Sequence, residues 1–364
     1  MKKFGKKIVC GTLMAALALG ALTGCSDKKV DGTQTVATVD QTEITMGTAS
    51  FLARYQQAST EAMYQQMMGS LSGQSMDIWD GETENGKTYG EEAKDNIMTL
   101  LNQLLVMEKH APDYGITVTD EEKEAISAAA EGFMSANSQE VIEKIGVSQS
   151  DIERLLELQT IQSKMYGPMT ADVDTNVPDE EANQSVITLV RVSTVGTEKD
   201  EDGNTIELTD EEKAQKKELA QQVLDKVKAA GAQGDMDALA KEVDEDLSST
   251  KRTYTTASAR EDGNIDTEIL DAVEGLTDGQ VYDGVVELED GYAVVRMDKV
   301  LDEEATESQR NSIISSRKQD LYNETLDQWT EEFPIQVEDS VWKQLTITDD
   351  VSFLMVTNTG TTAE

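Results

Sequence analysis

The C-terminal part of the chain contains one amphipathic helix that has no partner nearby in the sequence. Residues 306–332 place apolar side chains at helical spacing, and a single helix cannot bury enough surface to form a domain alone. The apolar stripe consists of Ile314, Leu321, Tyr322, Leu326 and Trp329. The segment 306–345 must therefore pack against a distant part of the chain, which restricts the possible folds strongly.

The first region, 36–175, provides a matching helical surface. It opens with two short alternating runs that predict a hairpin at 36–45. Apolar periodicity then predicts helices over residues 47–68, 91–110, 119–136, 139–145 and 148–161. The Gly- and Ser-rich stretch 69–90 predicts a long loop, anchored by Trp79.

In the first of these helices, periodicity favours burial of the side chains of Phe51, Leu52, Tyr55, Met63 and Met67. Methionine is flexible and polarisable, and it also occurs on surfaces that bind many partners. An alternative interpretation therefore places Met63, Met67, Met68 and Met76 on an adaptable surface for unfolded chains. For any single one of them, ordinary core packing is the favoured interpretation.

The middle of the chain changes character after a linker at 172–181. A strand at 185–193 is followed by a helix at 213–230, two short helices and a hairpin at 285–297. This order is typical of a compact α+β domain, which we place at 184–301. The prediction is an α+β protein in which this domain is inserted into a helical domain built from both 36–175 and 306–345. Residues 346–364 are expected to form a frayed tail.

The first 24 residues have the layout of a secretory signal peptide. Four lysines precede an uncharged apolar stretch, Ile8 to Leu22, that is too short for an ordinary bilayer span. The tetrapeptide Leu22-Thr23-Gly24-Cys25 resembles the lipobox of bacterial lipoproteins. The resemblance implies a lipid on the Cys25 sulfur and cleavage before Cys25, with residues 25–35 as a flexible tether. An ordinary signal peptide or an uncleaved anchor are the alternatives.

Charge and composition exclude several classes of function. Acidic residues number 71 against 31 basic ones, and loss of the four signal lysines takes the formal net charge from −40 to −44. This balance argues against a nucleic-acid partner, because phosphate contacts need clustered Lys and Arg. His110 is the single histidine, and Cys10 and Cys25 are the two cysteines. So few of these residues argue against a Cys/His zinc site and a Ser-His-Asp triad, and we predict no cofactor.

Two polar features have both a functional and a plain interpretation. His110 ends an apolar helix, where a cation interacts favourably with the helix dipole, so a structural role is favoured over a catalytic one. Residues Asp200 to Glu211 carry acidic groups at the first, third and twelfth positions of an EF-hand loop, with Asn204 at the fifth. Thr205 replaces the glycine that such loops require, so an acidic hairpin is favoured over a calcium site.

In domain order and in four short segments, the chain resembles the PrsA/SurA-type extracytoplasmic foldases. These join a helical chaperone domain, of the SurA N-terminal type, to a parvulin-like peptidyl-prolyl isomerase domain. Residues 36–45 resemble the family's opening hairpin, and 234–241 resemble its Gly-x-Asp-Phe-x-x-Leu-Ala-Lys run, with Met in place of Phe. Residues 276–281 resemble Leu-x-x-Gly-x-Val, and 291–295 resemble the closing Gly-Tyr-His-Ile-Ile strand. The resemblance implies the same two-domain fold over most of the chain.

The chain departs from this family at the residues that form the isomerase site. Parvulin sites place one histidine on the first strand and one on the closing strand, where this chain has Ala293. The first strand contains no histidine. The usual Met and Phe of the proline pocket have no clear counterparts. We therefore predict no catalytic residue and take Tyr254, Ile269 and Tyr292 as candidates for a residual apolar peptide-binding groove.

These features favour a lipid-anchored chaperone or foldase on the outer face of a bacterial membrane, with a weak or inactive isomerase domain. Its expected partners are unfolded or newly secreted polypeptides, and the membrane through Cys25. A homodimer remains open. One alternative is an active peptidyl-prolyl isomerase with a histidine-free site. Another is a solute-binding lipoprotein, although such proteins usually need two α/β lobes.

Overall fold

The structure, a computed structural model, describes the following parts of the 364-residue chain: residues 20–24, 29–68, 78–196 and 207–357. The chain forms two compact units. The first combines Met1–Asp172 with Gln319–Glu364, and the second is Val173–Lys318. The predicted α+β class, with a helical part built from both ends of the chain, is confirmed.

The N-terminal part of the first unit is mainly helical. Its elements are β1 (Gly20–Gly24), β2 (Thr35–Val39), β3 (Thr42–Thr45), α1 (Met46–Met68), α2 (Tyr89–His110), α3 (Asp120–Ala136), α4 (Gln139–Ile145) and α5 (Gln149–Met169). Among the described residues, no helix combines the length and the apolar character that crossing a bilayer requires.

The second unit mixes helices with a larger sheet. Its elements are α6 (Asp179–Ala182), β4 (Gln184–Ser193), α7 (Asp210–Ala230), α8 (Met236–Lys241), β5 (Ser249–Thr255), α9 (Ala259–Asp262), α10 (Thr267–Val273), β6 (Gln280–Val281), β7 (Val286–Leu288), β8 (Gly291–Lys299) and the start of α11 (Glu303–Glu332). The chain then re-enters the first unit with β9 (Gln336–Val337), α12 (Asp339–Trp342) and β10 (Phe353–Thr357).

Several long helices begin where side chains satisfy the free backbone N–H groups of the first turn. A hydroxyl accepts a hydrogen bond from the third helical residue, whose carboxylate accepts one from the capping residue in return. These reciprocal pairs are Thr88 with Glu91, Thr119 with Glu122, Ser148 with Asp151 and Thr209 with Glu212. The starts of α2, α3, α5 and α7 are thus encoded locally.

The core of the first unit is built from aliphatic and aromatic side chains of α1, α2, α3 and α5. Phe51 and Phe133 meet edge to face, with ring centroids 4.9 Å apart. The end of α11 contributes to the same core through Leu326, which is buried. Trp329 stacks on His110 with 4.2 Å between the ring centroids, so the single histidine has a packing role at the end of α2.

The sheet of the second unit is antiparallel, with strand order β5-β4-β8-β6 and with β7 also paired to β8. Side chains alternate between its two faces. Val190 and Val294 point to the face covered by α7 and α8. Leu189 and Val295 point to the face covered by α9 and α10. The central strands β4 and β8 are therefore apolar on both sides.

Three expectations about packing are wrong. Met63 and Met67 are not buried but about 60% exposed (59% and 61%), because they lie on the outer side of α1 near its end. The side chain of Met68 and residue Met76 lie outside the described residues. Residues 346–357, the described part of the expected tail, instead join the core, since Ile347 and Phe353 are buried and residues 353–357 form β10. Residues 358–364 lie outside the described residues.

The third difference concerns the expected tether. Its second part packs against the first unit: Val30 is buried, and Lys29 forms an ion pair with Glu143. Gly32 approaches the backbone so closely that a Cβ there would lie 1.6 Å from the carbonyl oxygen of Gly146. This close approach requires glycine at position 32. Cys25 and residues 26–28 lie outside the described residues.

We expect Phe353→Ala to destabilise the chain by about 3–5 kcal/mol, because it leaves a cavity where a fully buried ring had been. Urea unfolding monitored by tryptophan fluorescence measures this change. The control is Val195→Ala, since Val195 is exposed and its truncation should change stability by less than about 0.5 kcal/mol. Equal, small effects of both substitutions would show that residues 347–357 are not part of the folded core.

Candidate functional site

The position at which the parvulin resemblance led us to look for a histidine, Ala293, is enclosed in this structure. Ala293 on β8 is fully buried and lies opposite Arg191 on β4 and Val286 on β7. It belongs to an apolar cluster on the α10 face of the sheet, together with Ile187 and Ile269. The polar side chain across the strand pair from Ala293 is Arg191, and its guanidinium is held by carboxylates.

Ion pairs lie at the edge of this closed region. The Arg191 guanidinium donates a hydrogen bond to Asp266 at 2.9 Å and approaches Asp290 at 3.4 Å. All three side chains are at least one-third exposed. Exposed pairs of this kind contribute little to stability, and the guanidinium is already engaged by carboxylates. We therefore assign Arg191 a structural role at the edge of the closed region around Ala293 and not a role in catalysis.

A cleft of about 380 Å³ opens further along the same face of the sheet. Its apolar lining comes from β5, β8, α10 and the turn after α10. These side chains are Tyr254, Leu270, Val273, Leu276 and Met297. Polar groups at its margin come from Ser185, Thr256, Arg260 and Glu274. The cleft thus combines an apolar floor with a polar rim, as expected for a site that holds an apolar side chain of an extended peptide.

Tyr254 occupies a half-buried position between the rim and the floor of the cleft. Burial raises the pKa of its phenol, against the smaller and opposite effect of a hydrogen bond with Ser185. The phenol is therefore neutral at physiological pH. The Ser185 hydroxyl also donates to the carbonyl oxygen of Val300 at 2.8 Å and lies 2.7 Å from the Thr256 hydroxyl. These bonds hold the rim in one arrangement.

The charged groups of the cleft are paired with each other. Arg260 donates to Asp271 at 2.7 Å and to Glu274 at 3.3 Å. Among the described lining residues, none is a thiol, an imidazole or a carboxylate held as a general base. The arrangement is suited to binding a side chain and hydrogen-bonding a peptide, not to proton transfer. No cluster of three or more metal-ligating side chains occurs in the described parts of the chain.

The three candidate groove residues do not come together. Tyr254 lines the cleft. Ile269, a residue of α10, is buried in the core between this helix and the sheet and does not line the cleft. Tyr292 points to the opposite face, where its ring lies 5.9 Å from the Lys217 ammonium on α7. Tyr292 adjoins Ala293 on one strand, and neighbouring residues of a strand face opposite sides.

The cleft residues that the sequence analysis missed have a recognisable signal. Met297 follows Ala293 by four positions on β8, so both lie on one face of the sheet. Val273 and Leu276 flank the end of α10, next to Gly275, which has a φ of +78°. The positive φ turns the chain back toward the sheet and brings Leu276 to the cleft.

The first unit has its own cavity of about 280 Å³ between α1 and α2. It is lined by aromatic and aliphatic side chains, among them Tyr64, Trp79, Tyr89, Ile97 and Ile347. Trp79 is buried, and its indole N–H donates to Glu61 at 2.9 Å. Its position agrees with the expectation that Trp79 anchors the segment after α1.

A buried polar network lies beside this cavity. Arg54 donates to the Gln57 side chain at 2.6 Å, and Gln57 donates to Glu61 at 2.9 Å. Ser352 donates to the second oxygen of Glu61 at 2.6 Å. Burial lowers the pKa of the Arg54 guanidinium to about 10, against the opposite effect of the Glu61 charge. The network is structural, because each partner is held by the next.

Comparison with known families identifies the α+β unit. Residues 201–299 match the family model of the rotamase, or PPIC-type PPIase, domain. The second unit contains a PPIC-type PPIase domain. The match confirms the parvulin-type resemblance for this part of the chain, and it includes Ala293, where the parvulin pattern has histidine. If the chain is an enzyme, this domain indicates a parvulin-type peptidyl-prolyl isomerase. No curated protein matches the sequence.

Solved structures that resemble the chain are foldases. The foldase protein PrsA from Lactococcus lactis is 15% identical, with 86% of this chain and 99% of that chain covered and a TM-score of 0.31. PrsA from Bacillus subtilis is 16% identical, with 75% and 99% covered and a TM-score of 0.25. Peptidylprolyl isomerase (PrsA) from Bacillus cereus is 18% identical, with 74% and 97% covered and a TM-score of 0.29. Because these TM-scores are low, the assignment of the PPIC-type domain relies on the family match.

We expect Tyr254→Ala to weaken binding of an apolar proline peptide, such as Ala-Ala-Leu-Pro-Phe-Ala, about tenfold, because one wall of the cleft is lost. Binding is followed by NMR through the methyl signal of Met297, which lines the cleft. Tyr254→Phe should bind within about twofold of the parent, since the ring is retained. The control is Tyr292→Ala on the opposite face. Equal losses for Tyr254→Ala and Tyr292→Ala would contradict the assignment of the cleft.

Proposed function

We propose that this chain is a lipid-anchored foldase on the outer face of a bacterial membrane that assists newly secreted polypeptides. In this proposal the PPIC-type domain binds extended segments and has little or no isomerase activity. The observation that carries the proposal is the closed apolar packing around Ala293 within a domain of the PPIC-type family. The family supplies the peptide-binding role, and the closed site argues against rapid catalysis.

The physical requirement for prolyl isomerisation explains how such a domain can bind peptides and yet have little or no isomerase activity. Rotation about an amide bond has a barrier of about 18–20 kcal/mol, and no covalent bond needs to form during catalysis. A catalyst must hold the twisted amide better than the planar one. Apolar side chains pack around Ala293, and the cross-strand Arg191 is already engaged by Asp266 and Asp290. The cleft at Tyr254 can hold an apolar side chain, which is sufficient for binding.

The anchoring part of the proposal depends on the N-terminal sequence. Four lysines, an uncharged apolar stretch and Leu22-Thr23-Gly24-Cys25 support export and lipid attachment at Cys25. A formal net charge of −44 on the processed chain would keep complexes with aggregation-prone clients soluble and would favour basic clients.

A second candidate function is a histidine-free isomerase that works in the Tyr254 cleft. The observation in its favour is the neutral, half-buried Tyr254 phenol beside Leu270 and Met297. A phenol can donate a hydrogen bond to a carbonyl oxygen while apolar walls exclude water. This candidate and the foldase without isomerase activity make opposite predictions about the rate of proline-limited refolding.

The deciding experiment is refolding of a reduced protein whose slow phase is limited by proline isomerisation, which takes about 10–100 s at 25 °C without a catalyst. We expect the chain to raise the yield of soluble product at stoichiometric ratios without changing the rate of the slow phase. A rate that rises with the concentration of the chain would establish the isomerase instead. A chain that changes neither rate nor yield would overturn both functions.

A second test asks whether the site around Ala293 has room for a histidine. We expect Ala293→His to destabilise the chain by about 2 kcal/mol or more, because a larger polar side chain enters a filled apolar core, and to leave the refolding rate unchanged. Urea unfolding and the refolding assay measure the two effects. The control is Ala229→His on the exposed side of α7. A stable Ala293→His variant that accelerates refolding would show that the family site is open.

A further inference from the structure

In the first unit, part of the predicted signal peptide is an integral piece of the fold. Strand β1 pairs antiparallel with β10 along its whole length, from Gly20 opposite Thr357 to Gly24 opposite Phe353. On its other side β1 lies against α3 and α4. Together, β10 and the corner between α3 and α4 form a slot that holds one extended chain segment, which we call the β1 slot.

The β1 slot fixes its occupant by one side chain and by the backbone. The Leu22 side chain is 3% exposed and packs into the apolar core of the unit. The Leu22 backbone N–H donates to the Asn137 side-chain oxygen at 2.5 Å. The amide nitrogen of Asn137 donates in turn to the carbonyl oxygen of Phe133 at 2.8 Å, so the oxygen is oriented toward the slot. Asn137 is 91% buried, since its relative exposure is 9%.

The predicted cleavage site lies directly after β1. Cleavage between Gly24 and Cys25 would remove the strand completely and leave the rest of the slot in place. The edge of β10 would then lose its paired strand, the pocket of Leu22 would be empty, and the buried side-chain oxygen of Asn137 would lose its hydrogen bond. A buried acceptor without a hydrogen bond is costly, and an unpaired strand edge accepts a further strand readily.

We propose that the β1 slot of the processed chain binds an extended segment of a client polypeptide, which replaces β1 and adds a strand to β10. The inference rests on the proposed foldase function and names a binding site for its substrate. The preferred segment is uncharged and carries a leucine-sized side chain between small residues, as Gly20-Ala21-Leu22-Thr23-Gly24 does. Before cleavage, the chain's own segment occupies the slot and blocks it.

The mode of binding accounts for broad but not unlimited recognition. Backbone hydrogen bonds to β10 are available from any extended segment, so they provide affinity without dependence on sequence. The bond to Asn137 requires only a backbone N–H. Selection comes from the Leu22 pocket, which accepts an aliphatic side chain and excludes a charged one. Such a segment is common in unfolded chains and is hidden in folded ones.

The test compares chains whose slot is occupied with chains whose slot is open. The probe is a fluorescein-labelled Leu-Gly-Ala-Leu-Thr-Gly peptide, and binding is measured by anisotropy. We expect the full-length chain to bind it at least about tenfold more weakly than the full-length Leu22→Asp variant, in which a charge displaces β1 from the pocket. The chain that begins at Ser26 lacks β1 altogether and should bind the peptide as tightly as the Leu22→Asp variant. It provides the same test if that variant fails to fold.

The role of Asn137 is tested with a chemical change in the probe. Methylation of the backbone nitrogen of the second leucine removes the N–H that Leu22 provides to Asn137. In the open chain we expect this change to weaken binding about tenfold, and Asn137→Ala to abolish the difference between the two probes. The control is Asn323→Ala on the exposed side of α11, which should preserve the difference. Equal binding of both probes to the open parent chain would overturn the site.

The outcomes separate this inference from the foldase function. Improved refolding yield without peptide binding in the open chain would overturn the β1 slot alone. Peptide binding with the Asn137 dependence, but no effect on refolding yield or rate, would support the slot and overturn the foldase function. Equally tight binding by the full-length and open chains would show that β1 does not occupy the site that the peptide uses.

Discussion

The strict alternation of side chains along β4 and β8 determines what the second unit can bind. Both strands are apolar on both faces, because helices cover the sheet on either side. A side chain at position 293 of β8 must therefore fit between the sheet and α10. Alanine fits there beside Ile187 and Ile269, and the cross-strand Arg191 is engaged by Asp266 and Asp290. The small side chain at position 293 and the closed packing around it are two aspects of one arrangement.

In the first unit, burial of one segment likewise depends on another that is distant in the sequence: residues 349–353 cover polar side chains of α1. The polar residues Arg54, Gln57 and Glu61 are spaced by three and four positions and form a stripe along α1. The stripe is buried because the segment before β10 covers it, with Ser352 bonded to Glu61 and the Phe353 ring 4.6 Å from the Arg54 guanidinium. Asp349 adds to this cover by accepting hydrogen bonds from the backbone N–H groups of residues 78–80.

The sequence was informative where structure depends on near neighbours. Apolar periodicity predicted the helices that correspond to α3 and α5, and the patterns at 185–193 and 285–297 predicted β4 and β8. It was less informative where burial depends on distant segments. No sequence feature near Phe353 indicates its contact with Arg54. The exposure of Met63 likewise depends on which distant residues cover α1. Neighbouring residues of a strand face opposite sides, so Tyr292 and Ala293 could not both face the cleft.

The pairing of Gly20 with Thr357 also has a consequence for chain connectivity. Residues opposite each other in an antiparallel pair lie about 4.5–5.5 Å apart at their Cα atoms, so these two positions are close enough to be joined by a very short linker. The order of the segments could then be changed while their contacts are kept, with new termini at the exposed turn around Gly86, where a Cβ would meet no atom. The two ends of the first unit, as described from Gly20 to Thr357, therefore lie next to each other in the fold.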